Sequence, residues 1–374
     1  MDLKNEPQKT DQLSGSSRFG LTFWTQIIVI TFLLIAGLAY AASILIPLAL
    51  ALLLFVLITA IVDRVSLLKI GSIRMPSWLA HIISLGIVSL GLLGVLSILS
   101  NQAGDVAEAF PRYEQRFSQI LSRVVALVGD KNYAAAESAL SDLDISALAS
   151  GAISSAGAFL SALFLVLLYL PFMMVERAPM NKKLELVARD AEFREKLRKI
   201  LSSMSVSLQR YVGIKSLVSL ITGLGSYAFM KPVGLDFAET WAVLAFMLNF
   251  IPTIGSILGV AVPALVALVQ FDTVTPFLII LCGCGGVQFV VGNILEPALT
   301  GRSLNLSPLM VILALTFWTA IWGMAGALLS VPITVCFLIV MSHIPATRTI
   351  AILMSGDGNL LDDVPNDTDR EASR

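Results

Sequence analysis

Electric charge is scarce in this chain. Of its 374 residues only 14% are charged, whereas a soluble domain carries about 25%. The 25 basic and 26 acidic side chains leave a formal net charge of −1. This balance argues against a nucleic-acid partner, because such partners are bound by a basic surface. The composition is 56% hydrophobic, with several long apolar runs, and we therefore predict a polytopic membrane protein.

Cysteine, histidine and catalytic motifs are also scarce. The three cysteines, Cys282, Cys284 and Cys336, lie in apolar runs, and a Cys-Gly-Cys spacing with no histidine nearby is not a usual zinc site. We therefore predict no metal site and no disulfide framework. The chain has no Gly-rich loop followed by Lys-Ser/Thr, which disfavours transport driven by its own ATP hydrolysis. It also has no HExxH motif or plausible Ser/His/Asp set, so we expect neither an enzyme nor a cofactor.

The apolar runs predict an all-α multi-pass membrane protein of about eight hydrophobic segments, two of them broken or re-entrant helical hairpins. In chain order we expect a disordered cytoplasmic tail, three spans, an amphipathic helical region, a fourth span, an amphipathic linker, a core region and an acidic tail. The predicted bounds, in that order, are 1–20, 21–100, 101–150, 151–175, 176–211, 212–345 and 346–374.

Loop charges predict the orientation of these regions. Residues 63–76 carry three basic side chains against one acid, and residues 176–211 are also basic. Both are therefore expected on the cytoplasmic side. Residues 101–150 repeat apolar side chains at helical spacing and carry more acids than bases, which favours amphipathic helices on the opposite side. Both termini are then cytoplasmic.

The first interrupted apolar run covers residues 238–270. A straight helix of about 33 residues would be about 50 Å long, well beyond a hydrocarbon core of about 30 Å. Pro252 removes a backbone donor and disfavours helix at the residue before it, so a break is expected near residues 249–255. The run is either a re-entrant hairpin or a pair of short spans.

The second interrupted run covers residues 308–341. Gly323 and Gly326 bound its interruption, and Pro332 is expected to break it again. Each run follows an uninterrupted span, which hints at an inverted repeat of the kind that secondary transporters use to build a midplane site. Irregular backbone at membrane depth persists only where protein groups or the water of a cavity form hydrogen bonds with its N–H and C=O groups.

Polar side chains near the two breaks form a candidate pathway. Glu296 ends an apolar span, where a carboxylate is costly and suggests an ion or proton path. The alternative role is an interfacial anchor that pairs with Arg302. Asn249 and Thr253 could bind a polar solute or a cation, or only satisfy the hydrogen bonds of the turn. Gln288 and Asn293, the two amides on the intervening span, could line the pathway or form hydrogen bonds between helices. The candidates are Asn249, Pro252, Thr253, Gly255, Gln288, Asn293, Glu296 and Arg302, with Gly323, Gly326 and Pro332 as hinge residues.

Several motifs match a known family. They are Ile-Pro-Thr-Ile-Gly at 251–255, Gln288 with Asn293 to Pro297, Gly-Arg-Ser-Leu-Asn-Leu-Ser-Pro at 301–308, and Gly-Met-Ala-Gly at 323–326 before Val331-Pro332. With these motifs the chain resembles the autoinducer-2 exporter family, also called PerM-like transporters. The resemblance implies a multi-pass inner-membrane carrier that assembles as a homo-oligomer. Members of that family are linked to export of autoinducer-2, and others to sodium–proton exchange.

The expected function is secondary transport by alternating access, with the site between the two broken elements. The leading hypothesis is export of a small polar solute, such as autoinducer-2, driven by an ion or proton gradient. A sodium(lithium)/proton antiporter is an alternative. A non-transporting membrane scaffold that recruits a partner through residues 176–210 is another. The expected partners are the solute, a coupling cation or proton, and membrane lipids.

Overall fold

A computed structural model describes residues 12–66, 69–70, 73–128, 145–187, 190–300, 305–358 and 360. The helices are α1 (Gln12–Tyr40), α2 (Ala42–Val65), α3 (Ser77–Val128), α4 (Ile145–Val187), α5 (Ala191–Val233), α6 (Ala238–Leu248), α7 (Ile254–Gln270), α8 (Thr275–Val290), α9 (Glu296–Thr300), α10 (Pro308–Ser342) and α11 (Arg348–Met354). A π-helical turn, Val291–Leu295, joins α8 to α9, and a 3-10 turn, Pro345–Thr347, precedes α11. Two antiparallel two-residue strands, β1 (Lys69–Ile70) and β2 (Ile73–Arg74), lie between α2 and α3.

The all-α multi-pass membrane fold is confirmed. Within the described residues, five helical segments are by length and composition apolar enough to cross a bilayer, and they are Ala42–Val65, Trp78–Val106, Ala191–Val233, Thr275–Thr300 and Pro308–Ser342. The last of these reverses direction at Gly323 and is described below as a hairpin. Shorter apolar helices occupy Thr25–Tyr40, Ala238–Leu248 and Ile254–Gln270. Large apolar side chains on the outer faces of these helices are exposed in the isolated chain, as expected for a surface that contacts lipid.

Two helices run through predicted borders between spans and polar regions. α3 continues from the third span to Val128 and includes Pro111. The predicted amphipathic region therefore begins as an extension of that span. α5 likewise joins the basic linker and the fifth span in one helix. A helix that is already nucleated propagates at little cost through polar residues of good helix propensity, so the passage from lipid to water does not interrupt the backbone.

The chain ends are more helical than predicted. α1 begins at Gln12, inside the predicted tail of residues 1–20. α11 lies within the predicted acidic tail, and its Ala351 and Met354 are buried against Leu338 of α10. Burial of these apolar side chains holds the segment on the bundle. Residues 1–11, 359 and 361–374 of the two tails lie outside the described residues.

Two apolar clusters hold the bundle together. In the first, Ile58 of α2, Val88 of α3 and Val166 of α4 pack together and are buried. In the second, Leu53 of α2 meets Tyr211 of α5, and both contact the second half of α10. Helix α2 thus packs on both the N-terminal spans and the C-terminal core.

The first interrupted run is a helical hairpin, here called the first hairpin. It consists of α6 and α7, which are antiparallel, since Gly259 of α7 packs on Ala245 of α6. Its tip is the turn at residues 249–253, and its mouth is closed by Gln270, whose amide donates to the carbonyl of Gly234 at 2.9 Å. With 11 residues, α6 is about 16 Å long and cannot cross a core of about 30 Å, so the hairpin is re-entrant.

The second interrupted run also reverses direction and is called the second hairpin. Its tip is at Gly323, whose φ of 59° and ψ of −138° are not helical. The rings of Trp318 and Phe337, on opposite sides of the tip, stack with centroids 6.4 Å apart, whereas a continuous helix would separate these residues by about 28 Å. Met310 and Met341, near the two ends of α10, pack on the same cluster, so its mouth is closed as well.

The two hairpins enter from opposite faces, and their tips meet. The helical segment between their mouths, Thr275–Thr300, has 26 residues and is about 39 Å long, which places the mouths at opposite ends of the bundle. Ile251 at the tip of the first hairpin packs with Leu315 and Ala327 of the second. The core is therefore an inverted pair of helical hairpins, of which the first is re-entrant.

Candidate functional site

A hydrogen-bonded amide lies at the tip of the first hairpin. Asn249 is buried, and its Nδ2 donates to Oγ of Ser219 on α5 at 3.0 Å. Its Oδ1 accepts from Nε2 of Gln288 on α8 at 3.2 Å, and the same Nε2 donates to Oγ of Ser256 on α7 at 2.6 Å. The network joins α5, α7 and α8 at the depth where the tips meet. It brings together two of the predicted pathway residues, Asn249 and Gln288.

The turn itself is held by unusual backbone geometry. Thr253 has a φ of 61°, which is uncommon for a β-branched residue, and the N–H of Ile254 bonds the carbonyl of Pro252 at 2.6 Å. Gly255 follows, and a Cβ built on it would lie 1.7 Å from the carbonyl oxygen of Leu248. Only glycine allows the two backbone segments to approach this closely.

The tip of the second hairpin repeats this arrangement. Gly323 makes the left-handed turn, and Gly326 follows it with a Cβ position 1.9 Å from the carbonyl oxygen of Trp318. Each tip thus has a glycine pressed against the backbone at the end of the preceding half-helix. The prediction that Pro332 breaks this element again is wrong, because α10 continues through it. A nearby hydroxyl bonds the backbone of this helix, since Thr334 Oγ1 donates to the carbonyl of Ser330. Such bonds help membrane helices tolerate proline.

An ion pair lies beside the π-helical turn. Nζ of Lys215 on α5 donates to Oε1 of Glu296 at 2.5 Å, with side-chain exposures of 8% and 29%. Tyr211, one turn before Lys215, is buried within electrostatic range of Glu296. Within the described part of the chain its hydroxyl has no hydrogen-bond partner. π-helical turns are frequent at functional sites, and this one immediately precedes the carboxylate.

The partner of Glu296 was missed from the sequence. Sequence reasoning offers Arg302 as a partner for Glu296, and Arg302 lies outside the described residues. The structure pairs Glu296 with Lys215 instead. The signal was present, because a lysine inside the apolar run at residues 212–230 is as costly as a carboxylate and indicates a partner. The predicted pathway residue Asn293 does not join this site, since it is exposed and its Nδ2 bonds the carbonyl of Phe289 on its own helix.

A second polar cluster lies at the mouth of the first hairpin. Arg112 and Tyr113 of α3 both bond Oδ2 of Asp236, at 2.7 and 2.8 Å, and Arg116 bonds Asp272 at 2.7 Å. Burial, and then the hydrogen bond to Asp236, raise the pKa of Tyr113 well above its usual range. Glu239 accepts from Tyr227 and Lys231 of α5.

The arrangement places polar side chains beside the point where the two hairpins meet. Ile251 packs on the second hairpin, and the adjoining Asn249, Ser219 and Gln288 can exchange hydrogen bonds with a polar solute. A charged pair lies on the helices that flank this point. Among the described residues there is no group of three or more His, Cys, Asp or Glu side chains that could hold a metal ion.

Comparison with known proteins identifies the family of this chain. Residues 27–346 match the family described as AI-2E family transporter. The chain is 30% identical over 334 residues to the AI-2 transport protein TqsA of Escherichia coli K12, with 86% of this chain and 92% of that protein covered. It is 29% identical over 329 residues to a putative transport protein of Haemophilus influenzae, with 86% and 93% covered. Since the family match spans most of the sequence and contains both hairpins, the chain belongs to the AI-2E family of transporters.

Proposed function

We propose that this protein is a secondary transporter of the inner membrane that exports a small polar solute, such as autoinducer-2, by alternating access. The observation that carries the proposal is the inverted pair of hairpins, which meet at Ile251 next to the Asn249 network. An inverted repeat with broken helices at midplane depth is the arrangement by which secondary transporters expose one site to each face in turn. The Escherichia coli relative is named an AI-2 transport protein, which supports autoinducer-2 as the solute.

The charge distribution supports the orientation. The mouth of the first hairpin, with the acidic extension of α3, faces outward in this proposal. The mouth of the second hairpin, with the basic first half of α5 on the same side, faces the cytoplasm, as expected when basic segments remain inside. Both termini are then cytoplasmic.

Glu296 couples transport to a cation or proton gradient in this proposal. A carboxylate and an ammonium at membrane depth are costly, and such groups typically mark an ion or proton path. Lys215 neutralises the carboxylate in the structure described here. A proton or cation that binds Glu296 would release Lys215 and alter the packing of α5 on the π-helical turn. The cost of leaving one member of the pair alone makes the exchange energetically significant.

The test is efflux of autoinducer-2 from loaded proteoliposomes of the purified protein, with and without an imposed pH gradient. We expect gradient-dependent efflux whose pH dependence is lost in Glu296→Gln. Glu195→Gln is the matched control, because Glu195 is an exposed carboxylate on the same α5 helix that carries Lys215. Absence of efflux above empty liposomes would reject the solute, and an unchanged pH dependence in Glu296→Gln would reject the coupling role.

The partly buried Lys215–Glu296 pair also favours a second function, sodium(lithium)/proton antiport. A carboxylate that exchanges an ammonium for a proton could also exchange it for a small cation. The distinguishing measurement is proton movement in proteoliposomes after addition of sodium or lithium. A cation-dependent pH change that is lost in Glu296→Gln would make the antiporter the leading function, and no pH change would leave solute export leading.

A further inference from the structure

The extension of α3 reaches across the mouth of the first hairpin. Residues 102–116, here called the arm, contact the mouth at several points that are more than 100 residues apart in sequence. These contacts are Gln102 to Glu239, Thr240 to Gln102, Arg112 and Tyr113 to Asp236, and Arg116 to Asp272. The last two acids lie on opposite sides of the hairpin mouth, so the arm bridges both of its ends.

The hairpin mouth is a rigid unit under the arm. Gln270 at the end of α7 accepts from the backbone N–H of Asp236 at 2.8 Å and donates to the carbonyl of Gly234 at 2.9 Å. Trp241 Nε1 also donates to the carbonyl of Asp236 at 3.1 Å. These bonds tie the start of the hairpin to its end. A movement that opens this face is therefore expected between the arm and the hairpin, and not within the mouth.

The contacts of the arm are suited to repeated opening. The side chains of Arg112 and Asp236 are 63% and 32% exposed, and those of Arg116 and Asp272 are 39% and 79% exposed. Exposed ion pairs are weak and are screened by salt. Each pair biases a closed state by about two- to fivefold, which is enough to favour closure without making it permanent.

We propose that the arm is a latch that closes the pathway at the mouth of the first hairpin. A cavity of about 330 Å³ lies between the arm and the mouth, lined by Arg112, Tyr113, Arg116, Asp236, Val269 and Gln270. Release of the two ion pairs joins this cavity to the polar network at the tip and opens the face. The latch rests on the alternating-access function proposed above, and its tests are chosen to read the opening without any transported solute.

The first test locks the latch. Gln102→Cys and Thr240→Cys replace two side chains that bond each other, in a chain whose three native cysteines are replaced by alanine. Ser256→Cys reports the tip, and its modification by the membrane-impermeant probe MTSET is timed in right-side-out and inside-out vesicles. Labelling is read by mass spectrometry on the peptide that contains position 256, because the reduced cysteine pair also reacts with MTSET. Oxidation of the pair should slow labelling at position 256 at least tenfold in the one vesicle orientation that exposes the arm. Reduction should restore it.

The second test weakens the latch. Arg112→Ala combined with Arg116→Ala should accelerate labelling of Ser256→Cys from the arm side by about tenfold, since two weak pairs act together. Lys183→Ala is the matched control, because Lys183 forms an exposed ion pair with Glu176 away from the arm. It should leave the labelling rate unchanged.

The outcomes separate a latch from a brace and from a failed transport function. Equal labelling rates in the oxidised and reduced protein, in both vesicle orientations, would overturn the latch, and the arm would then be a static brace. Disulfide formation itself reports that the variant has folded with the arm in place. Loss of autoinducer-2 efflux with intact latch-dependent labelling would reject the solute alone.

Discussion

Replacing Gly255 by alanine should destabilise the first hairpin strongly. The added Cβ would lie 1.7 Å from the carbonyl oxygen of Leu248, whereas real Cβ atoms essentially never approach closer than 3.0 Å. Both atoms belong to the backbone, so no side-chain rotation can relieve the overlap, and the two half-helices must separate by more than about 1 Å. Overpacking costs about 1–3 kcal/mol where a core can yield, and we expect about 3 kcal/mol or more here.

The measurement is the apparent unfolding temperature of the purified protein in detergent, from the size-exclusion peak that survives heating. A loss of about 3 kcal/mol corresponds to a fall of about 6 °C or more in a domain of this size. Gly286→Ala is the matched control, since no atom lies within 4 Å of its Cβ position on α8. An alanine in a helix is there expected to raise stability by about 0.5–1 kcal/mol.

The two glycine variants should therefore shift the unfolding temperature in opposite directions. Gly326→Ala should behave like Gly255→Ala, because its Cβ position lies 1.9 Å from the carbonyl oxygen of Trp318. If Gly255→Ala unfolds within about 1 °C of Gly286→Ala, the close approach at the tip is wrong, and so is the reversal of the chain that depends on it.

Three further outcomes are expected in the same heating assay. Lys215→Met and Glu296→Gln should each lower the free energy of unfolding by up to about 3 kcal/mol, because each leaves one charge unpaired. The double variant should lose less than the sum of the two single losses, and additive losses would contradict the ion pair. Asn249→Ala should cost about 1–3 kcal/mol, since it leaves buried polar partners unsatisfied, and no change would show that the network is not formed. Ser307→Ala should cost about 1 kcal/mol of stability, because Ser307 Oγ caps α10 by accepting from the backbone N–H of Met310. Ser307→Thr should retain this cap, and an equal loss in both variants would argue against capping.

The candidate site was only partly predictable. Amides beside a break in an apolar run need partners, which points to Asn249 and Gln288, and the structure bonds them to each other. The same argument points to Asn293, but this residue lies on the π-helical turn and its Nδ2 bonds the carbonyl of Phe289 on the same helical segment. Linear spacing shows which polar groups are present, whereas the side of the helix that meets a neighbour depends on packing.

What the sequence by itself determined is the class and the position of the breaks. Few charges and long apolar runs require a membrane, and Pro252 and Gly323 interrupt helices through the backbone chemistry of their own residues. These are local effects, and they hold whatever the rest of the chain does. The length of α6, too short for a crossing, also follows from local signals once its ends are known.

Only the tertiary structure decided the contacts between distant segments. It showed that the two hairpins open on opposite faces and meet at Ile251, that Lys215 and not a nearby arginine holds Glu296, and that the arm lies across the mouth at Asp236. It also showed that α10 continues through Pro332. The physical reason is that these features depend on which helix faces come together, and this is set by the joint burial of apolar surface and the pairing of polar groups over the whole bundle.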